Sequence, residues 1–535
     1  MPIKAGAMTM LLGSTRVFLQ AHWKFAFVAE SAKNLEGLGL TMASGVTITR
    51  QEPVSEITAS VASEYGRIAT GNQRFPAIIR DDQVITHGLF WAIVKSFAVH
   101  LHDQGVETGS LIALNTKDML PSLATLFATS LLGARLVIAS KTLARAKVLQ
   151  PTHFFRTPEV TGAKRVDFRV IDDSWMPTAN APPQEPDLSV PASPDADWLF
   201  LHTSGTTGRA KYIALSERII RNRTEAVSKD FPFQRTTLAT TFGFTSRPFF
   251  ARAIATLLNA GAIMDSRDFA LWTKAGVNFV CGSPLQVAKF LEGVSFRPRI
   301  KRIEVSGAKL PDDVAANLLD NFELVIDVYG AAETNKTFEN VVMRGPEGGI
   351  IRKGQKLDSE IEIITANGRR CEAGEVGSVR VRNGYMVRGY LQIPEATAKS
   401  FRDGWFYPGD IATWGERGDL LVIGREDDVI NLGGYKLNAG MIDMLFCSVP
   451  GIRDAISFHN PKPHAVDKIL VFVVFEKDAE KANVIEAACQ LAKTKLRLSL
   501  GTRAVMGIHA IPRTENETPD RKACQRLVLA RAELA

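Results

Sequence analysis

The chain contains the stretch Thr203-Ser204-Gly205-Thr206-Thr207-Gly208-Arg209-Ala210-Lys211, which combines hydroxyls, small residues and a terminal lysine. This composition suits a loop whose backbone N–H groups and hydroxyls donate to phosphates, and it predicts nucleotide chemistry. The apolar run Trp198-Leu199-Phe200-Leu201 precedes it and predicts a short buried strand. The spacing differs from that of a Walker A loop, which has four residues between its first glycine and a Gly-Lys pair. Taken alone, the stretch also fits a solvated turn.

Further segments downstream remove that ambiguity by their order. They are Val328-Tyr329-Gly330-Ala331-Ala332-Glu333-Thr334, Gly404-Trp405-Phe406-Tyr407-Pro408-Gly409-Asp410 and Gly424-Arg425-Glu426-Asp427-Asp428-Val429-Ile430. With the first stretch, they resemble the acyl-adenylate-forming superfamily of acyl-CoA synthetases, peptide-synthetase adenylation domains and luciferases. The resemblance covers about residues 50 to 530. It is closest in kind to an acyl-CoA synthetase.

Length and charge agree with an enzyme of several domains. The chain has 535 residues, of which 45% are hydrophobic, which suffices for more than one core. A net charge of +7 favours polyanionic ligands such as ATP or CoA, but basic residues never form a run of five. Because no recognised nucleic-acid-binding motif accompanies the charge, we expect no nucleic-acid partner.

The cysteines and one apolar segment indicate the cellular compartment and whether the chain spans a membrane. Cys281, Cys371, Cys447, Cys489 and Cys524 are odd in number and far apart, which favours a reducing cytoplasm over a disulfide framework or a zinc site. The apolar segment from Ser122 to Ser140 is interrupted by Gly133 and Arg135. It predicts a packed helix followed by a strand, and no membrane span.

Alternating strand-like and helical patterns between about residues 75 and 345 predict an α/β fold. Short strands and glycine turns follow from about 360 to 424, and the apolar run Ile469–Phe475 lies in a later module. We therefore expect a large domain over 46–424, with two α/β subdomains and a small β subdomain, and a smaller mobile α+β domain over 425–535. Residues 1–45 fit the resemblance poorly and indicate an N-terminal extension or a start codon placed too far upstream.

The resemblance implies how the nucleotide is held. Thr203, Ser204, Gly205, Thr206, Thr207 and Gly208 would close over the β- and γ-phosphates of ATP, with Lys211 as a catalytic cation. Glu333 would hold Mg²⁺. Tyr329, with Gly330 and Ala331 beside it, would stack on adenine, and the other side of that slot would be lined by Ser306, Gly307 and Ala308. Asp410 would accept hydrogen bonds from both ribose hydroxyls, and Arg425 would add a second ribose contact.

The resemblance also implies a second half-reaction. Asp427 matches the hinge about which the small domain rotates, whereas its neighbour Asp428 also fits a solvated position. Gly433 and Gly434 match a loop that lines the tunnel for the pantetheine arm of CoA. Lys436, the last residue of the matching segment Gly433-Gly434-Tyr435-Lys436, is a further catalytic candidate.

Two departures from the family pattern concern adenylation. The family has a Gly-Lys pair shortly after Pro-Arg-Thr, and here Glu517 and Thr518 stand in that place. Losing such a charged donor costs roughly 100- to 1000-fold in rate unless Lys522 or Lys436 substitutes. The second departure is Ala332, where the family usually has threonine. One hydrogen bond to substrate is lost there, worth about 0.5 to 1.5 kcal/mol for a neutral partner.

The acid-binding pocket is expected from Thr241–Ser246, Gly282–Pro284 and Gly330–Ala331, and it reads as apolar and aromatic. Gly243 stands where amino-acid-activating relatives place an aspartate, so a fatty or aryl acid is favoured. The nearby phenylalanines also fit plain core positions; they are Phe242, Phe244, Phe249 and Phe250.

These observations lead to an ATP-dependent acid–thiol ligase that forms an acyl-AMP and passes the acyl group to CoA. An acyl carrier protein is the alternative acceptor. A degenerate member that binds a nucleotide or acyl ligand with little adenylation is the alternative from another class, and an enzyme that only transfers from supplied acyl-AMP is a third.

Overall fold

The computed structural model of the protein describes residues 60–81, 83–138, 149–160, 167–177, 193–203, 211–230, 236–244, 246–432, 435–462, 467–513 and 519–533. The predicted N-terminal extension, residues 1–45, lies outside these ranges. So do most of the phosphate-loop stretch, both glycines of the predicted pantetheine loop, and Thr518.

Strands and helices alternate along most of the described chain. Up to residue 230 they are α1 (Val61–Gly71), β1 (Pro76–Arg80), β2 (Val84–Thr86), α2 (His87–Asp103), β3 (Leu111–Asn115), α3 (Met119–Leu132), β4 (Arg135–Ile138), β5 (His153–Arg156), β6 (Arg169–Val170), β7 (Asp197–Thr203), β8 (Lys211–Ser216) and α4 (Glu217–Asp230). The next part, up to Lys356, contains β9 (Thr237–Thr240), α5 (Arg247–Leu258), β10 (Ala262–Asp265), α6 (Phe269–Lys274), β11 (Phe279–Gly282), α7 (Pro284–Phe290), β12 (Ile300–Ser306), α8 (Asp312–Asn321), β13 (Phe322–Ala331), β14 (Asn335–Arg344) and β15 (Ile350–Lys356).

Shorter strands dominate the rest of the chain. They and the remaining helices are β16 (Glu360–Ile364), β17 (Gly377–Arg382), α9 (Pro394–Ser400), β18 (Phe401–Arg402), β19 (Trp405–Phe406), β20 (Asp410–Trp414), β21 (Leu420–Arg425), β22 (Val429–Leu432), β23 (Tyr435–Asn438), α10 (Ala439–Cys447), β24 (Ile452–His459), β25 (Ile469–Phe475), α11 (Lys481–Leu496), β26 (Val505–Gly507) and α12 (Arg521–Glu533). Short 3₁₀ turns cover Asp173–Trp175 and Thr502–Ala504.

Two large sheets organise the first two thirds of the chain. One has six strands in the order β6-β5-β3-β4-β7-β8, and the other has nine in the order β15-β14-β13-β12-β11-β9-β10-β1-β2. Neighbours from β13 to β1 in the nine-stranded sheet run parallel, so their carboxyl ends meet at one edge. In open α/β sheets that edge is where ligands bind. Both predicted α/β subdomains are therefore present.

The apolar segment predicted to be a packed helix and a strand has that structure. α3 begins after Asp118, whose side chain accepts a hydrogen bond from the Leu120 N–H, and it ends at Gly133, whose φ of 62° lies in the left-handed region. β4 follows directly. In the part of the chain that the structure describes, no helix is long and apolar enough to cross a membrane.

A third sheet covers the region where short strands were predicted. β16 to β21 form six strands, with β18-β19-β17-β20-β21 in order and β16 beside β17. Its core contains Ile363, Val379 and Ala412, which pack with Phe338 of the large sheet. The small β subdomain thus lies against the end of β14.

The last module is an α+β unit with a three-stranded sheet, β24-β25-β26. Val471 and Val473 of β25 pack in a core with residues of α10 and α11, whereas Phe472 and Val474 pack in another core with Cys524 and Val528 of α12. Because both faces of β25 are covered, its sequence is a continuous apolar run. The predicted architecture of a large α/β part and a smaller α+β domain is confirmed.

Candidate active site

The predicted adenine slot lies at the carboxyl edge of the nine-stranded sheet. Ser306 ends β12 and pairs in register with Val328 of β13, so Gly307 and Ala308 leave the sheet beside Tyr329. β13 extends from Phe322 to Ala331, so Tyr329, Gly330 and Ala331 are its last residues. The structure therefore places these residues on two neighbouring strand ends.

Gly330 is required by the turn between β13 and β14. A Cβ at this position would lie 2.2 Å from the backbone oxygen of Asn335, which is closer than real Cβ atoms approach. Asn335 itself has a φ of 63°, a left-handed conformation that asparagine tolerates better than most residues. The tight turn fixes Glu333 between the two strands.

Tyr329, Asp410 and Arg425 form a hydrogen-bonded set beside the predicted slot. The Tyr329 hydroxyl donates to Asp410 Oδ2 at 2.6 Å, and Arg425 Nη1 donates to Asp410 Oδ1 at 2.7 Å. Asp410 and Arg425 face each other across β20 and β21. Burial and the neighbouring Asp410 carboxylate raise the pKa of Tyr329 well above its ordinary value, so its hydroxyl stays a donor at neutral pH.

Glu333 lies in a second set with Tyr390 and Lys211. The Tyr390 hydroxyl donates to Glu333 Oε1 at 2.8 Å, and the Lys211 ammonium lies 4.6 Å from the centroid of the Tyr390 ring. Leu391, next in the chain, donates its N–H to the backbone oxygen of Tyr212 at 2.8 Å, which anchors the tyrosine beside Lys211. Burial and the Glu333 carboxylate raise the pKa of Tyr390.

Arg223 of α4 holds the loop that carries Glu333. Its guanidinium is 5% exposed and donates to the backbone oxygens of Tyr385, Ala332 and Glu333 at 3.1, 3.1 and 2.8 Å. Burial lowers the pKa of Arg223 to about 9, because its hydrogen-bond partners are neutral carbonyls. Ala332 thus contributes its carbonyl to a structural contact, although it lacks the hydroxyl of the family pattern.

The residues around Glu333 fit a magnesium ion that is mostly held by phosphate. Within the described ranges, no group of three or more His, Cys, Asp or Glu side chains could form a protein cage for a metal. Glu333 is 6% exposed, and among the described residues its Oε2 accepts no hydrogen bond. One carboxylate plus substrate phosphates and water is an arrangement that Mg²⁺ uses at nucleotide sites.

Close to the expected acid pocket, the structure has a cavity whose wall is partly charged. A cavity of about 30 Å³ lies beside Phe242, Cys281 and Gly330, close to where the pocket was predicted, but Arg247, Arg252, Glu304 and Lys336 also line it. Phe249 and Phe250 belong to the core, with 0% and 2% exposure, and Phe244 packs against that core. The alternative of plain core positions therefore holds for Phe249 and Phe250, because α5 turns these side chains into the core and its two arginines, Arg247 and Arg252, towards the cavity.

Several predicted site residues lie outside the described ranges. These are Ser204, Gly205, Thr206, Thr207 and Gly208 of the phosphate loop, and Gly433 and Gly434 of the pantetheine loop. Thr203 and Lys211 are described and face each other where β7 meets β8, at the base of that loop. Lys436 is placed only as part of β23.

The predicted hinge region makes two ion pairs. Asp427 lies 3.5 Å from Lys399 Nζ of α9, and Asp428 lies 3.1 Å from Arg521 of α12. Asp428 is therefore paired, where a solvated position was also expected. Arg521 also pairs with Asp443 at 2.7 Å, and its neighbour Lys522 is exposed. Within the described part of the chain, Lys522 shares none of the ion pairs that hold Arg521.

Sequence reasoning missed Tyr390, Arg223 and Arg247. Tyr390 follows a glycine in a segment with no other chemical signal, and both arginines sit in helices that read as amphipathic. A buried arginine on a helix is rare unless it is paired, but burial of a single side chain cannot be read from helical spacing.

Comparisons with known proteins agree with this geometry. The AMP-binding enzyme family matches residues 66–391, more than half of the chain, and the protein belongs to that family. Pyochelin synthase PchD from Pseudomonas aeruginosa is 26% identical over 475 residues, which cover 80% of this chain and 86% of PchD. The 3-hydroxybenzoate–CoA/4-hydroxybenzoate–CoA ligase of Thauera aromatica is 26% identical over 61% of this chain and 65% of the ligase.

A solved structure shares the fold. ATP-bound MatB from Rhodopseudomonas palustris superposes with a TM-score of 0.71 over 87% of this chain and 98% of MatB, at 19% identity. Together with the family match and the similarity to the Thauera ligase, this fold confirms the predicted membership of the acyl-adenylate-forming enzymes.

Proposed function

We propose that the protein activates a carboxylic acid with ATP to form an acyl-AMP and then transfers the acyl group to a thiol. In the first step a carboxylate oxygen attacks the α-phosphorus, and pyrophosphate leaves. In the second step the thiol sulfur attacks the acyl carbonyl, AMP leaves, and the thiol proton passes to solvent. Family membership and the relatives' names support an acid ligase of the AMP-forming kind.

The observation that carries this proposal is the convergence of Lys211, Tyr390 and Glu333. A cation and a carboxylate held by one tyrosine suit a triphosphate, since the cation offsets charge on phosphate oxygens while the carboxylate holds a metal ion. Mg²⁺ bound at Glu333 would neutralise charge on the phosphates as pyrophosphate leaves. In our proposal Glu333 and Lys211 are catalytic, and Lys211 contacts the phosphates together with the loop Thr203–Gly208.

The nucleoside would be held by the other set of residues. Tyr329, Gly330 and Ala331 would line one side of the adenine, and Ser306, Gly307 and Ala308 the other. Asp410, fixed by Tyr329 and Arg425, has both carboxylate oxygens oriented by protein donors before any ribose arrives. Such preorganisation reduces the ordering that nucleotide binding requires.

For the acid, the names of the relatives favour an aryl substrate. The Thauera ligase is named for hydroxybenzoates, and nothing comparable supports a fatty acid. The charged cavity also opposes a long apolar chain, because burying unpaired charge against a hydrocarbon is costly. We therefore propose an aryl or other compact polar acid in place of the fatty acid that the sequence allowed.

For the acceptor, we propose CoA, with the pantetheine of a carrier protein as the alternative. The ligase from Thauera is named for CoA, whereas PchD is named as a pyochelin synthase. Gly433, Gly434 and Lys436 are the residues we assign to the thiol tunnel. We place the hinge between 46–424 and 425–535 at Asp427.

A second candidate function rests on Thr518. With threonine where the family has lysine, adenylation would be slow, and the chain would bind a nucleotide or acyl ligand or only transfer from supplied acyl-AMP. These possibilities differ in which half-reaction survives.

One assay separates them. Acid-dependent ATP–pyrophosphate exchange is measured over a panel of aryl and aliphatic acids, and thioester formation from synthetic acyl-AMP and CoA is measured in parallel. Exchange by the natural protein supports the proposal; thioester formation without exchange supports the transfer enzyme. If neither activity appears in the natural protein or in Thr518→Lys, the proposal is wrong.

A further inference from the structure

The cavity beside the predicted nucleotide site has more positive than negative side chains in its wall. It lies at the carboxyl ends of β11, β12 and β13, against α5, and Ser306, Gly307 and Gly330 contribute to its wall. Its volume of about 30 Å³ is room for roughly two or three water molecules, or for one carboxylate group. The cavity shares Gly330 and Ser306 with the adenine slot, so a ligand in it would adjoin the nucleotide.

Cations outnumber anions at this cavity. Arg247, Arg252 and Lys336 line it together with one carboxylate, Glu304, so three positive charges face one negative charge. Outside the wall, Arg302 with Glu339, and Arg223 with Glu333, add one charge of each sign per pair and leave the excess at two. A buried excess of this size calls for an anion from outside the chain.

Glu304 is already fully engaged by cations. Its carboxylate accepts from Arg252, from Arg302 at 2.7 Å and from Lys336 at 3.3 Å. Burial alone would raise the pKa of Glu304, but these three cations outweigh burial and hold the pKa below its ordinary value. Glu304 is thus ionised and has little capacity left for Arg247.

Arg247 is the cation of the cavity wall that has no direct ion pair among the described residues, and the Glu333 carboxylate acts on it only from beyond ion-pair distance. Among the described residues it makes no ion pair and no hydrogen bond through its side chain, although it lies at the first turn of α5, partly buried, and faces the cavity. Burial, with repulsion from Arg252, lowers the pKa of Arg247 to about 10. Arg247 is therefore the group best placed to receive an anion.

Two further donors in the cavity wall lack an acceptor. They are Arg252 Nε and Asn335 Nδ2, and both residues are more than nine-tenths buried, with 7% and 1% exposure. Buried donors of this kind are rare in folded proteins, where most find a partner. Their position at the same cavity as Arg247 indicates a site built for an acceptor group.

We propose that this cavity binds a second anionic group of the substrate, so that the preferred acid is a compact dicarboxylic acid whose distal carboxylate pairs with Arg247. The inference rests on the acid ligase function proposed above and names its substrate class. The reacting carboxylate would point toward Lys211 and Glu333, while the distal one offsets the excess charge. A guanidinium binds a carboxylate through two parallel N–H donors, which also fixes the orientation of the acid.

The test uses acids matched in all but the second carboxylate. ATP–pyrophosphate exchange is compared for benzoate against benzene-1,3-dicarboxylate, and for butyrate against succinate. 3-Hydroxybenzoate serves as an analogue whose second polar group is uncharged. We expect at least one dicarboxylate to exceed its monocarboxylate partner by about 100-fold in kcat/KM, because the monocarboxylate leaves the buried charge of Arg247 unpaired. The assay is run on the natural protein and on Thr518→Lys, so that slow chemistry does not hide the preference.

Variants at Arg247 locate the effect. Arg247→Gln is expected to lose about 100-fold with the dicarboxylate and less than about 3-fold with the monocarboxylate, and Arg247→Lys is expected to keep part of the preference. The matched control is Arg267→Gln, because Arg267 is exposed and lies away from the cavity over Phe290. If Arg247→Gln fails to fold, the inference is tested by the activity of Arg247→Lys and by the preference of the natural protein for dicarboxylates over monocarboxylates.

Distinct outcomes separate the two claims. The inference would be overturned if monocarboxylates or 3-hydroxybenzoate supported exchange and neither dicarboxylate did. It would also be overturned if Arg247→Gln lost activity equally with both acids of a pair. Either result would leave the ligase function standing. Equal loss would mean that Arg247 holds the reacting carboxylate. No exchange with any acid in either protein, together with no thioester from acyl-AMP, would reject the function, and the dicarboxylate inference with it.

Discussion

Tyr390 and Glu333 are joined by a 2.8 Å hydrogen bond from the tyrosine hydroxyl to Oε1 of the carboxylate. Because Lys211 lies over the ring of the same tyrosine, one side chain contacts both the proposed catalytic cation and the proposed metal ligand. The backbone that carries Glu333 is held in turn by Arg223. The proposed phosphate end of the site is therefore held by contacts within the chain that do not involve ATP.

Replacing Tyr390 with phenylalanine tests this role. The ring beneath Lys211 remains, while the hydrogen bond to the charged Glu333 is lost, so kcat/KM for ATP in pyrophosphate exchange should fall about 10- to 100-fold. The Mg²⁺ concentration for half-maximal rate should rise as well. Tyr385→Phe is the control, since its hydroxyl donates to the backbone oxygen of Asp358 at 3.0 Å, away from Glu333. Equal effects of the two changes would mean that Tyr390 is only structural.

Asp410→Asn tests the nucleoside end. The amide loses the charge that pairs with Arg425 and can accept at only one atom, so we expect the KM for ATP to rise about 10- to 100-fold with a smaller change in kcat. Asp320→Asn is the matched control, because Asp320 makes a 2.8 Å pair with Arg344 at the surface. An unchanged KM for ATP in Asp410→Asn would remove Asp410 from the nucleotide site.

Glu304→Gln tests the buried charge network. Removing the anion leaves Arg252, Arg302 and Lys336 with too few partners, and the free energy of unfolding should fall by about 3 to 5 kcal/mol in urea titrations at pH 7. The control is Glu360→Gln, which breaks an exposed pair with Arg382 and should cost less than about 1 kcal/mol. Similar losses in the two variants would show that the network adds nothing to stability.

The same variant carries a pH dependence. Cations outweigh burial at Glu304 and hold its pKa below the ordinary value of 4.5, so the unfolded chain binds a proton more readily than the folded chain. The contribution of Glu304 is complete above pH 4.5 and is lost as the pH falls toward the lower folded pKa. The stability difference between the natural protein and Glu304→Gln should therefore shrink below pH 4.5. A difference that grew on acidification would contradict the lowered pKa.

Thr518→Lys tests the departure in the C-terminal segment. We expect exchange to rise by about 100-fold, because a charged donor is restored, while thioester formation from supplied acyl-AMP stays unchanged. Lys522→Ala tests whether the exposed Lys522 already supplies the charge that is missing at Thr518. If Lys522→Ala abolishes exchange in the natural protein and Thr518→Lys has no effect, Lys522 already performs the role.

Much of the fold was predictable because its signals are local. The run Ile469–Phe475 is buried on both faces as β25, and the helix and strand around Gly133 follow from a glycine that takes a left-handed φ. Motif order predicted Tyr329, Asp410 and Arg425 as nucleotide-binding residues, and the structure shows contacts among them.

What the sequence did not reveal depends on contacts between distant segments. Tyr390 reaches Glu333 across 57 positions of sequence, and Arg252 reaches Glu304 across 52. Phenylalanines suggested an apolar pocket, yet the rotation of α5 decides which side chains face the cavity. Helical spacing alone does not fix that rotation, because arginine is compatible with either a solvent face or a buried ion pair.

The most direct test of the proposed function is a single-turnover reaction of the natural protein with ATP, Mg²⁺ and the best acid of the panel, quenched and analysed for acyl-AMP and pyrophosphate. We predict equal amounts of the two products, both dependent on the acid, and a loss of at least about 100-fold in rate in Glu333→Gln. Acid-independent release of pyrophosphate, or an unchanged rate in Glu333→Gln, would contradict adenylation at this site.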